Sequence, residues 1–157
     1  MRGFTLIEIL VSVGILSFLI AGIFAVLNVG DMNWHLDMGL LDLQQQARQT
    51  MNGMIRELRQ SRASAITINS TSDISFSVPP QTYGDTWIGP IRYYLDTQTQ
   101  QIKREYTSAT KILANNINSL NFSLSGNIMQ IQLGAAKTVK QRALSFFLTE
   151  KVRLRNE

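Results

Sequence analysis

Apolar and polar positions are unevenly shared along this chain. From Ile9 to Leu27, 19 residues pass without a charge. As a helix at about 1.5 Å per residue this run measures about 28 Å, close to the ~30 Å hydrocarbon core of a bilayer. It is longer than the apolar core of a secretory signal, about 7–15 residues, and the Asn28-Val29-Gly30-Asp31 that follows is a poor cleavage site. The run is therefore expected to stay in the protein and span a membrane. Beyond it the pattern becomes a stripe: Leu36, Leu40, Leu43, Ala47, Met51, Met54 and Leu58 recur at spacings of three and four. That is one face of an amphipathic helix. No proline occurs before Pro79, so one continuous helix is expected from about Phe4 to Arg62. Gly14, Gly22, Gly30, Gly39 and Gly53 lower its intrinsic propensity and admit bending or close packing.

After Ser61-Arg62-Ala63-Ser64 the period changes. Short runs rich in β-branched and aromatic residues alternate with turn residues. Strands are expected at Ala65–Asn69, Ile74–Val78, Ile91–Leu95, Gln101–Tyr106, Ser119–Leu124, Ile128–Leu133 and Ala143–Thr149. Pro79-Pro80 should end the second, Asp96-Thr97-Gln98-Thr99 should turn the third into the fourth, and Ser125-Gly126-Asn127 should close a tight hairpin. Lys111–Asn118 reads as a loop or a short helical turn. The expected fold class is α+β: one long helix with an antiparallel sheet on its outer half. The expected divisions are residues 4–29 as the membrane-spanning half of the helix, 30–64 as its amphipathic half, and 65–157 as a β-rich globular body.

Composition narrows the chemistry. With no cysteine in 157 residues, disulfides and thiolate metal sites are excluded. His35 is the single histidine, so a histidine cluster cannot form, and no Ser/His/Asp triad is expected; it reads as a solvated helix residue. Trp34, just past the apolar run, suits an interfacial anchor. Gln44-Gln45-Gln46 reads as an exposed helix face. Asp73, Asp85, Asp96 and Glu105 stand singly, and no spacing suits a calcium loop or a phosphate-binding glycine loop. No catalytic set, cofactor or metal is expected, and the protein reads as a non-enzyme. Trp87-Ile88-Gly89-Pro90 reads as a turn with a core-packing Trp, or as a surface recognition loop. The net charge is +4. Lys137, Lys140 and Arg142 could face an acidic neighbour or DNA, but a solvated face is the plainer reading, and no nucleic-acid partner is expected. Arg2 precedes the span while Asp31, Asp37 and Asp42 follow it, so the N-terminus is expected in the cytoplasm and the body on the far side.

Glu8 breaks the pattern. A carboxylate inside an apolar stretch costs about 2.5–3.5 kcal/mol at mid-bilayer and less near the end, where it can reach the interface. From its position alone it either snorkels to the cytoplasmic surface or awaits a cation.

The string Gly3-Phe4-Thr5-Leu6-Ile7-Glu8 ahead of an apolar run resembles the cleavage and methylation motif of type IV prepilins and pseudopilins. The resemblance implies that residues 1–3 are a leader, that a prepilin peptidase cuts between Gly3 and Phe4 and methylates the new Phe4 amine, and that Glu8 pairs with that amine on an adjacent subunit. The implied partners are the peptidase, other pilin or pseudopilin subunits in a hetero-oligomeric filament, and inner-membrane lipid before assembly.

The body is similar to something narrower. Arg92-Tyr93-Tyr94-Leu95-Asp96 followed by Ile102-Lys103-Arg104-Glu105 resembles a hairpin of the J-type minor pseudopilins of type II secretion. The Arg48-Gln49-Thr50-Met51 to Leu58-Arg59 stretch and the closing Val152-Arg153-Leu154-Arg155-Asn156 fit the same group. That resemblance implies a minor subunit at the tip of a short periplasmic filament; minor subunits of type IV or DNA-uptake pili share much of the pattern. This chain is short for a J-type subunit.

Overall fold

A computed structural model describes residues 5–80 and 86–155. One helix, α1, runs Leu6–Leu58. Its 53 residues extend about 80 Å. It ends four residues before the expected Arg62. The last turn tightens, with the Gln60 and Ser61 amides bonding back three residues to the Glu57 and Leu58 carbonyls at 3.1 and 3.0 Å. Arg62 is then extended. The Ser61 carbonyl is taken by the Arg155 amide at 2.9 Å, and Arg62 bridges Arg155 in parallel. The chain's other end thus claims the backbone that a longer helix would have used. A short 3-10 turn, Ala63–Ala65, leads into the sheets.

Among the described residues the strands are β1 Ile66–Ser70, β2 Asp73–Val78, β3 Ile88–Asp96, β4 Gln101–Tyr106, β5 Ala109–Ala114, β6 Ile117–Ser125, β7 Ile128–Val139 and β8 Arg142–Arg153. All pair antiparallel. The α+β class and the seven expected strands are present. Two expectations change. Of the segment read as a loop or helical turn, the first half closes β5, paired with β4 from Tyr106↔Ala109 to Ile102↔Ala114, and its last two residues open β6. The expected single sheet is two, ordered β1-β2-β3-β4-β5 and β6-β7-β8. The break falls at Asn115-Asn116, where Asn116 takes a positive φ of 60° and swings the chain off the first sheet. Two backbone bonds stitch the sheets together, Ile117 to Gln100 and Phe122 to Thr71 at 2.9 and 2.7 Å, while Ala136 to Asn116 at 2.8 Å extends the β6–β7 pairing into the linker.

The expected stripe is the face α1 buries. Leu43, Ala47, Met51, Met54 and Leu58 are all at most 1% exposed; Leu36 and Leu40, nearer the membrane end, are half-buried. Opposite them lie Ile131, Leu133 and Val152 of β7 and β8, and Ile74, Phe76 and Tyr93 of the five-stranded sheet. Phe76 and Tyr93 stack with ring centres 5.7 Å apart. At Gly39 the helix comes so close to the β7–β8 hairpin that a Cβ would lie 2.8 Å from Val139 Cγ2 and 3.1 Å from Leu144 Cδ1. Only glycine permits this approach without movement of the hairpin.

Candidate assembly site

The first half of α1 has no partner within the chain: from Leu6 to Gly30 every residue is exposed. Such a surface requires lipid or other helices around it. The hydroxyls inside it are satisfied locally, Ser12 Oγ donating to the Glu8 carbonyl at 2.7 Å and Ser17 Oγ to the Val13 carbonyl at 2.8 Å. This is how polar side chains are accommodated in a helix facing hydrocarbon. Gly22 leaves a shallow apolar depression between Phe18, Leu19, Ile23 and Val26.

Glu8 lies in the first turn of α1. Thr5, in extended conformation, is the N-cap, and its Oγ1 accepts from the Glu8 amide at 3.4 Å. A carboxylate in this turn is favoured by the helix dipole. The sequence reading did not assign Thr5 a role, although Thr5-Leu6-Ile7-Glu8 has the spacing of a capping box. Thr5 and the dipole fix where the helix begins, so Glu8 projects from its exposed first turn. Gly3 and Phe4, expected at the cleavage point, lie outside the described residues.

Residues 1–24 match a family described as the prokaryotic N-terminal methylation motif. No curated protein and no solved structure matches the chain. The motif heads a long apolar helix that is followed by antiparallel sheets. The chain fits a type IV pilin-like protein. In pilin-like terms, the motif implies processing by a prepilin peptidase and assembly with other pilin subunits, and the single apolar helix fits a single-pass anchor in the inner membrane.

The body of this pilin-like chain contains two polar clusters that the sequence did not reveal. Glu57 of α1 accepts from Tyr93 Oη at 2.8 Å and from Arg104 Nε at 3.2 Å. Burial, then the Glu57 carboxylate beside it, pushes the Tyr93 phenol well above its ordinary value. The second cluster corrects the expectation that the acids stand singly. Arg92 grips Asp73 through Nε at 3.0 Å and Nη2 at 2.7 Å, reaches Glu105 at 3.4 Å, and stacks 4.6 Å over Tyr94. The bond from Arg92 holds the Asp73 carboxyl below the usual carboxylate range. Asp96 is likewise held low, chiefly by Lys103 Nζ at 2.6 Å, and it receives the Gln98 and Thr99 amides of the expected turn. Asp85 lies outside the described residues.

Other expectations also change. Trp87 is not in the core: it is 38% exposed, with the Arg62 guanidinium 4.9 Å over its ring. Ile88, Gly89 and Pro90 are part of β3 rather than a turn. Two members of the basic cluster are not simply solvated. Lys137 pairs with Asp42 at 3.2 Å and Lys140 pairs with Asp31, so the acidic neighbour is the chain's own helix. His35 is exposed and lies 3.3 Å from Asp31. The Gln44–Gln46 face is only partly free, because Gln46 donates to Asp42 and accepts from the Asn115 amide.

Proposed function

We propose that this protein is a structural subunit, not an enzyme: a minor pseudopilin of a type II secretion pseudopilus, acting in its tip or initiation complex. Residues 1–3 are removed, Phe4 is methylated, and residues 4–29 hold the chain in the inner membrane with the N-terminus cytoplasmic. Residues 30–64 continue as the amphipathic half of the helix, and the body, 65–157, is periplasmic. On assembly Glu8 pairs with the Phe4 amine of an adjacent subunit. The observation that carries this reading is an exposed carboxylate in the first turn of an unpartnered apolar helix, within the matched N-terminal methylation motif.

Electrostatics supports the pairing. Cleavage creates a cation at the end of the anchor. When anchors leave lipid and bundle, a lone charge among apolar side chains is costly, and an opposed carboxylate offsets that cost only in one register. The J-type assignment is favoured by the Arg92–Asp96 and Ile102–Glu105 hairpin. Its Tyr93 and Arg104 both bond Glu57, giving those residues a fastening role between sheet and helix. A minor pilin of a type IV or DNA-uptake pilus is the alternative, and co-purification with other type II secretion pseudopilins rather than pilus subunits separates the two. The central test is mass spectrometry of the mature N-terminus. Phe4 carrying one methyl group is expected; an intact Met1, or a cut beyond the apolar run, would reject the reading.

A further inference from the structure

The last strand of the body ends in a run of bases. Lys151, Arg153 and Arg155 alternate with Val152 and Leu154, which are buried. Adjacent strand residues point to opposite faces, so the three bases share one face while Val152 and Leu154 fill the core. Arg59, just past the last residue of α1, joins them, and with Leu154 the four bases line an open depression of about 700 Å³. All four are exposed, and none has an ion-pair partner among the described residues. The adjacent acid, Glu150, sits opposite buried Ile131, on the face of Val152 rather than that of Lys151. Even with the side chain of Glu157 and a chain-terminal carboxylate, both outside the described residues, set against the four bases, the surplus is positive.

The same strand has an open edge. β8 pairs with β7 on one side and stands last in its sheet. The Leu154 amide bonds toward β7, to the Asn127 carbonyl at 2.9 Å, and the Arg155 amide bonds away from it, to the Ser61 carbonyl at 2.9 Å. Backbone direction alternates along an antiparallel strand, and the β7–β8 register is unbroken, so Arg153 and Lys151 also turn their amides and carbonyls outward. The parallel bridge Arg62↔Arg155 occupies the end of this edge. Among the described residues no strand pairs with it at Lys151 and Arg153. The residues with open backbone groups are the ones that carry the unmatched charge.

We propose that this edge receives an extended acidic segment of a partner protein, added as a strand beside Lys151 and Arg153. Such a strand places its alternate side chains about 5 Å from those of Lys151 and Arg153, themselves about 7 Å apart. Carboxylates at every second residue therefore match the bases, with Arg59 and Arg155 flanking them. The backbone ladder supplies affinity and the charges supply selection. A second copy of the same edge does not fit, because like bases on two edges repel. Lipid phosphate does not fit either, since Arg59 lies about 40 Å along α1 from Asp31, at the end away from the apolar half. The inference depends neither on the pairing of Glu8 nor on the J-type reading.

The test titrates the full-length chain, in detergent at low ionic strength, into a fluorescent peptide of alternating threonine and glutamate, about eight residues long, and reads anisotropy. Binding is expected to be about tenfold or more tighter than to the peptide with lysine in place of glutamate. A peptide of the same sequence N-methylated throughout keeps its charge but cannot complete the ladder, and should also lose about tenfold. Lys151→Glu with Arg153→Glu should weaken binding by about tenfold or more, and Arg59→Ala by several-fold. Arg142→Glu, at the far end of β8, should leave it within about twofold. The peptides compared on the unmodified chain decide the matter even where a variant is unstable. Absence of binding, equal binding of the lysine or the N-methylated peptide, or undiminished binding by a folded Lys151→Glu, Arg153→Glu variant would each overturn the proposal. Tighter binding of a single-stranded oligonucleotide of equal charge would overturn it in favour of a nucleic-acid surface.

Discussion

At the scale of single residues, the point most exposed to mutation is Glu57. It accepts from the buried Tyr93 hydroxyl and from Arg104, so its removal leaves a donor and a cation in a partly closed site. Glu57→Ala should cost about 1–3 kcal/mol, the usual cost of stranding such groups, whereas Tyr93→Phe leaves the Glu57–Arg104 pair in place and should cost about 0.5–1.5 kcal/mol. Chemical unfolding of the detergent-solubilised chain measures both; an equal or reversed order would show that Glu57 is not the hub. The carboxyls of Asp73 and Asp96 are depressed by Arg92 and Lys103 respectively. A depressed carboxyl stabilises the fold above its unfolded-state value and loses that contribution as pH falls through the folded one. The melting temperature should therefore be nearly level from about pH 7 to 5 and fall below about pH 4. Arg92→Leu should make that fall shallower. A melting temperature that rises on acidification would contradict this account.

At the scale of elements, two glycines in one helix should respond oppositely to the same change. Gly53 has nothing within 4 Å of a Cβ, while Gly39 would meet Val139 and Leu144. Gly53→Ala should stabilise by up to about 1 kcal/mol through helix propensity. Gly39→Ala gains the same propensity but must push apart a stiff β-branched side chain, at about 1–3 kcal/mol. It should be neutral to destabilising, and Val139→Ala in that background should recover part of the loss. Stabilisation by both alanines would mean the hairpin is not clamped at Gly39. The same hairpin explains what the sequence concealed. The helix, its stripe and strands such as β2 were legible because period and burial agree there, whereas β1, which buries no residue fully, was legible only from its β-branched residues and flanking turn residues. β7 runs on to Val139, past the expected Leu133, and β5 was not foreseen at all. β7 ends in, and β5 begins after, a two-residue turn, Lys140-Gln141 and Thr107-Ser108, whose positive φ values fall on residues that carry no glycine or asparagine signal. β5 also buries only its last residue fully, so it offers no alternation to read. The ion pairs of Lys137, Lys140 and Arg92 join residues 95, 109 and 19 positions apart, and no local spacing announces them.

At the scale of the whole molecule, the chain divides its helix between two tasks. The outer half is covered by its own sheets, and the inner half is wholly uncovered. The uncovered half satisfies its hydroxyls internally and carries one acid, Glu8, in the turn where the helix begins. In lipid that acid sits near the interface at small cost, so anchoring does not require it. On the proposed pairing the balance reverses in a bundle of anchors, because the amine that cleavage would create on the neighbour would have no water to turn to. Removing one member of such a pair costs about 3–5 kcal/mol, which is on the order of 100-fold or more in an assembly equilibrium. Glu8→Ala is thus expected to reach the membrane fraction at the wild-type level and to be cut normally after Gly3, yet to fall by that factor in sheared or co-purified filaments. Glu8→Asp keeps the charge on a shorter stem and should fall between the two. Comparing membrane and filament fractions of the same cells separates anchoring from assembly. Wild-type entry of Glu8→Ala into filaments would leave Glu8 as an interfacial residue only, and the register of the bundle would then have to come from the apolar surface of the helix itself.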